Sequence, residues 1–268
     1  MLAALTGAAF LFSAGGCHGD LALRQSAMEK AQPYGFSERR IAHDPFRLLI
    51  LIRDRSRNAE TLTIYIEGDG AQWSSPYHAP RDPTPVASPV LAMAIADPAG
   101  SVAYLGRPCQ YLSAADRTNC DPAYWDERRF SPEVIDAYGH VVDALKSETQ
   151  TTNLRLVGYS GGGVIATLLA ARRDDVEELI TVAAPLAVNR WTHSQGISPL
   201  IGSVDPISAL TAPLSRATHW TGGRDKIVPP EVVAEFAAKW GGNVRLMPDF
   251  THSCCWAEQW RQLLEENR

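Results

Sequence analysis

No apolar run in this chain reaches the ~20 residues that a bilayer-spanning helix needs, so no transmembrane helix is expected. Basic clusters are missing too. The 25 Lys and Arg are scattered and are outnumbered by 30 Asp and Glu, for a net charge of −5. A protein that holds a phosphate backbone needs a basic stripe, so nucleic acid is not an expected partner. The sequence contains no His-Glu-x-x-His stretch and no pairs of cysteines with matching histidines, the spacings that ligate zinc. Phosphate-loop and dinucleotide fingerprints are absent as well, so neither a metal nor a cofactor is expected. No internal repeat or low-complexity tract is visible, which sets aside solenoids and disordered linkers.

What remains is an ordinary globular composition, 45% hydrophobic and 21% charged. Its length lies within reach of a single α/β domain with a full core. One end departs from this. Residues 2–14 are apolar or small throughout, and Ser13, Ala14, Gly15 and Gly16 lead directly into Cys17. An apolar stretch closed by small residues reads as an export signal over residues 1–16. Small residues running into cysteine resemble the lipobox of bacterial lipoproteins. That resemblance implies cleavage before Cys17 and lipidation of it, and His18 in place of aspartate implies sorting to the outer membrane. The expected setting is therefore the periplasmic side of a cell envelope, with a membrane contact made through lipid. An exported chain meets an oxidising compartment. Cys109 and Cys120, which share one polar loop, are then expected to pair. Cys254 and Cys255 are adjacent and read as small buried residues opening the last helix, with a strained bridge between the two neighbours left open.

Along the chain, residues 17–34 read as a short helical arm or tether and residues 35–268 as one domain. Strands are expected at 35–43, 47–53 and 61–67, with the polar insert 54–60 acting as a hairpin turn between the last two. A proline-rich loop at 76–89 leads to a helix near 90–96, and 101–105 forms the next strand. Ser131 and Pro132 open a helix to about residue 146, as N-cap and first helical residue. Strands at 178–183, 216–221 and 243–247 then alternate with helices at 230–240 and 255–266. Residues 186–213 form an irregular excursion. Strands alternating with helices over this length indicate a doubly wound, mostly parallel sheet covered on both faces. Ligands bind such sheets beyond the carboxyl ends of the strands.

The densest signal is Gly158-Tyr159-Ser160-Gly161-Gly162, a G-x-S-x-G set between a strand and a small-residue helix. A serine on so sharp a turn sits in strained backbone, and a Cβ two residues to either side would collide with neighbouring chain. The turn lifts the hydroxyl above the sheet and leaves the Gly161 amide at a helix N-terminus, where negative charge is favoured. Serine needs a base, and the base needs a group to fix its tautomer. On this architecture they follow in the order acid, then histidine. Asp225, on a glycine-rich loop after a strand, and His252, one strand later, satisfy it. Asp205 is the rival acid. His219 falls inside a predicted strand and precedes the acid, His193 lies in the excursion, and the remaining histidines precede Ser160.

With these residues in place the chain resembles the α/β-hydrolases over roughly residues 35–268. The likeness rests on the serine turn, the Gly-Gly-Arg-Asp-Lys-Ile-Val-Pro loop at 222–229 and a histidine after the last strand. It also resembles a set of predicted proteobacterial lipoprotein hydrolases, through Glu-Gly-Asp-Gly at 67–70, Asp-Pro-Thr-Pro at 82–85, Arg-Pro-Cys-Gln-Tyr at 107–111 and Cys-Cys-Trp at 254–256. The resemblance implies an α/β-hydrolase fold without a large lid. It also implies an oxyanion hole made by the backbone amides of Gly161 and Asp69, with Gly70 as the alternative to Asp69, and the Asp69 side chain is expected to turn away, toward Arg107 or backbone amides. Trp73, Tyr77, Tyr124 and Trp125 are candidates for an apolar wall. The expected activity is carboxylic ester hydrolysis on a small acyl ester. Thioester or peptide hydrolysis or acyl transfer on the same triad remains open, as does a non-catalytic binding role, and nothing in the sequence fixes an oligomeric state.

Overall fold

A computed structural model of the chain describes residues 18–55, 59–71, 80–117 and 120–267. The proposed signal, Cys17, Trp73 and Tyr77 lie outside the described residues. Helix α1 (His18–Ala31) comes first, followed by strands β1 (Ser37–His43), β2 (Phe46–Asp54) and β3 (Thr61–Ile66). Helix α2 (Pro89–Ala96) leads to β4 (Ser101–Leu105), and a short α3 (Ala114–Arg117) precedes the long α4 (Pro132–Thr149). Next come β5 (Asn153–Tyr159), α5 (Gly161–Ala170), β6 (Val176–Val182), α6 (Val188–Gln195) and α7 (Pro206–Ala209). The chain closes with β7 (Ala217–Gly222), α8 (Pro230–Trp240), β8 (Asn243–Met247) and α9 (Trp256–Glu266).

The eight strands form one sheet in the order β1-β2-β4-β3-β5-β6-β7-β8. Strand β2 is antiparallel to both its neighbours, and every pairing from β4 to β8 is parallel. This is the doubly wound, mostly parallel arrangement that the alternation of elements predicts. Successive side chains on a strand point to opposite faces. In β2, accordingly, Leu48, Ile50 and Ile52 enter one core with α4, α5 and α8. Leu49 and Leu51 enter the other, with α1, α2 and α9. A strand apolar on both faces must lie inside a sheet. That is why the hairpin expected between β2 and β3 does not form: β2 turns back on β1 instead, and β4 separates it from β3.

Two further expectations change. The excursion at 186–213 carries two helices, α6 and α7. Asp205 caps the second, accepting from Ile207 N at 3.3 Å, and holds the start of the first through Val188 N (3.0 Å) and Asn189 N (2.9 Å). Ser131 precedes α4, but its side chain makes no capping bond. Of the two readings of the N-terminal segment, a packing arm or a tether, the described residues 18–34 form the packing arm, with Ala27 and Ala31 buried in the second core and Arg24 paired with Glu38.

Candidate active site

The parallel strands end level. Ile66 pairs with Leu105 and Gly158, Tyr159 with Val182, Val182 with Trp220, and Gly222 with Met247. The loops that leave these ends therefore meet on one edge, and Asp69, Ser160, Asp225 and His252 stand there.

Ser160 sits between β5 and α5 at φ 51° and ψ −127°. That region is costly for a residue with a Cβ. Small neighbours make the turn possible. A Cβ on Gly158 would lie 2.3 Å from the Gly162 carbonyl, and one on Gly162 would lie 2.2 Å from the Ile66 carbonyl on the adjacent strand. The serine hydroxyl lies 3.1 Å from His252 Nε2, and His252 Nδ1 lies 2.8 Å from Asp225 Oδ2. The other carboxylate oxygen, Oδ1, accepts from the amides of Ile227 and Val228, each at 2.8 Å. A carboxylate only accepts, so Nδ1 carries the proton and Nε2 offers its lone pair to Ser160. The acid is enclosed while the histidine is partly open, their side chains being 0% and 15% exposed. The two loops also tie to each other, Arg224 N donating to Phe250 O at 2.9 Å.

Backbone contacts fix the histidine from behind. Its carbonyl accepts from the Tyr159 hydroxyl and from Trp256 Nε1, each at 2.9 Å. Burial raises the Tyr159 hydroxyl well above its ordinary range, so it stays a donor. Neither residue had been nominated from the sequence; the only hint was their adjacency to Ser160 and to the cysteine pair. Cys254 and Cys255 are bonded to each other, and Cys254 is exposed, which corrects the reading of two small buried residues. The hydroxyl–carbonyl turn from Thr251 to Cys254 brings this pair to the surface beside His252. Cys109 and Cys120 are joined by a disulfide, as expected.

On the other side of Ser160, the loop after β3 packs against the serine turn. A Cβ on Gly68 would lie 3.3 Å from Ser160 Cβ. Asp69 sends its carboxylate over Gly161, whose own Cβ position lies 1.9 Å from Asp69 Oδ1. Arg107 Nη1 donates to that oxygen at 2.9 Å and Arg129 Nη1 to the other at 3.0 Å. Burial pushes the Asp69 carboxyl upward, but the two guanidinium groups outweigh it and hold the carboxyl below its usual range. The Asp69 side chain is thus neutralised by two cations: of the two expected directions it takes the one toward Arg107, and Arg129, which no sequence feature points to, is the second partner. Glu67 is fully enclosed and accepts from Gly68 N (2.8 Å), Ser88 Oγ and Tyr104 Oη. Burial raises its carboxyl above the usual range.

The rejected candidates have structural roles. His219 is buried in β7, with Nδ1 2.9 Å from Thr181 Oγ1. Burial pushes its pKa down to about 4. Trp125 is buried and donates to Pro80 O at 2.8 Å, and Tyr124 packs edge-on against Phe46, so neither forms an apolar wall. Among the described residues no group of three His, Cys, Asp or Glu side chains could hold a metal ion.

The chain has the fold of the α/β serine hydrolases. Similar solved structures include a serine hydrolase without a lid from Xanthomonas campestris, with 16% identity and a TM-score of 0.57 over 87% of this chain and 93% of that one. Est1E of Butyrivibrio proteoclasticus with ferulic acid bound gives 18% identity and a TM-score of 0.58, covering 85% and 98%. An esterase of Pyrococcus furiosus gives 14% and 0.60, covering 88% and 92%. No protein-family model and no curated protein matches the chain in sequence.

Proposed function

We propose that the chain is a serine hydrolase that cleaves carboxylic esters through an acyl-enzyme. The observation that carries this reading is the hydrogen-bonded line from Ser160 Oγ through His252 to Asp225 Oδ2. In the first step the Ser160 hydroxyl attacks the ester carbonyl while His252 Nε2 takes its proton. Asp225 holds the Nδ1–H tautomer and steadies the positive ring. The oxyanion that forms is received by the amide N–H groups of Gly161 and Asp69. The first of these opens α5, so it has no carbonyl four residues back to bond. The protonated His252 then donates to the leaving alcohol. Water, deprotonated by His252, attacks the acyl-serine and regenerates the enzyme. One oxyanion donor is worth about 2.7–4 kcal/mol at the transition state, and the strapped Asp69 loop keeps that amide in register.

A fluorophosphonate probe tests the reading directly. Covalent labelling that disappears in Ser160→Ala supports it, while a folded protein that is not labelled, or labelling that survives Ser160→Ala, overturns it. The small residues before Cys17 support a second part of the proposal, an envelope protein anchored to the outer membrane by lipid on that cysteine. Two lipid signals are enough for stable anchoring. Fatty-acid incorporation should vanish in Cys17→Ser, and incorporation that persists would exclude the anchor.

A further inference from the structure

A groove of about 430 Å³ runs between α1, α2 and the start of α9. Its volume is that of a small-molecule site. Hydrocarbon makes most of its walls: Leu23 and Ala27 from α1, Leu91 and Ile95 from α2, and Ala257 from α9. Two of its polar groups are already committed. Ser88 Oγ caps α2 and donates to Glu67, and the Tyr111 hydroxyl is 2.8 Å from that of Tyr104. Lys30, Ser253 and Glu258 stand exposed at the rim, beside Val86, which is 79% exposed although apolar.

The groove's position links it to Ser160. One flank is the segment 85–89, which continues from Pro83, whose carbonyl accepts from Ala71 N at 3.0 Å just beyond the Asp69 loop. The other flank is Ser253, the residue after His252. Ser88 in the first flank donates to Glu67, the residue before Gly68, and Gly68 and His252 are the residues that meet Ser160 from either side. From this placement we infer that the groove takes the hydrocarbon chain of the ester, so that the substrate class is medium- to long-chain acyl esters. The inference rests on the hydrolase reading above. A chain that leaves water gains about fourfold in binding for each buried methylene. A groove walled mostly by hydrocarbon, with Ser88 and Tyr111 committed elsewhere, favours such a chain over a sugar or peptide.

Two measurements test this, one of them independent of turnover. In the Ser160→Ala protein, a fluorescent twelve-carbon fatty acid should bind saturably. Ala92→Trp, placed on the exposed side of α2 in the groove, and Ser26→Trp, entering from α1, should each weaken that binding at least about tenfold. In the active protein, the ratio of kcat/KM for p-nitrophenyl octanoate over acetate should exceed about ten and fall toward one in both variants. Absent fatty-acid binding, binding that neither tryptophan weakens, or a ratio the variants leave unchanged would each overturn the groove assignment. Failure of the hydrolase reading shows separately, as a protein that the fluorophosphonate does not label.

Discussion

The two sides of Ser160 are built differently. On one side, Asp225 and His252 stand on consecutive strand-end loops, and His252 bonds directly to both Asp225 and the serine. On the other, Asp69 is held by Arg107 and Arg129, which come from different loops 38 and 60 residues away in sequence. In the proposed mechanism the first side moves a proton, so residue type and order constrain it tightly. There the second side holds a backbone amide in place, which several side-chain arrangements could do. A proton relay fails when one atom is wrong, whereas a strut weakens by degrees.

Breaking the relay should therefore cost far more than breaking the strut. Ser160→Ala is expected to abolish fluorophosphonate labelling and to lower kcat for ester cleavage by about 10⁶, the scale for losing a nucleophile. Asp225→Asn comes next, at about 10⁴ in kcat. The amide keeps its oxygen on the Ile227 and Val228 amides and presents NH₂ to Nδ1, which forces the ring proton onto Nε2, where Ser160 needs a lone pair. Stopped assays on the purified variants measure both. If Asp225→Asn stays within tenfold of the parent, Asp225 is not the acid that orients His252.

Arg129→Met is expected to lower kcat only about tenfold, part of what one oxyanion donor contributes. It should also cost about 1–3 kcal/mol of stability, because a partly buried carboxylate oxygen loses a charged donor. Asp69→Asn in the same chain should recover part of that stability, since the amide carries no charge to compensate. Urea denaturation of the single and double variants reads the coupling, and additive effects would remove Arg129 from the strut.

The smallest effect on activity, none at all, separates the buried strand histidine from the loop histidine. His219 has its pKa pushed down to about 4, against an ordinary 6.5. The unfolded chain therefore takes up this proton first as pH falls. Stability attributable to His219 is complete above pH 6.5 and is lost between 6.5 and about 4, by up to about 3 kcal/mol. His219→Phe should flatten that part of the stability–pH curve while leaving the pH dependence of ester cleavage unchanged. A curve that keeps its slope would show that the histidine is not held neutral.

Much of this was legible before any coordinates. The continuous apolar strands, the alternation with helices and the glycines around Ser160 each follow from local stereochemistry. Order along the chain singled out Asp225 and His252. Other features were hidden for physical reasons. Strand order depends on which faces are covered, so the insert at 54–60 looked like a hairpin although β4 lies between β2 and β3. Asp205 and Asp225 look alike in sequence, and only their partners separate them, a pair of helix starts for one and a histidine for the other. Local sequence determined which residues can bend, cap and react, because those properties belong to single side chains and short turns. Only the tertiary structure decided that Arg129 meets Asp69, that Tyr159 and Trp256 hold the His252 carbonyl, and that an apolar groove lies between α1, α2 and α9. Those contacts are set by how two packed faces bring distant loops to one edge of the sheet.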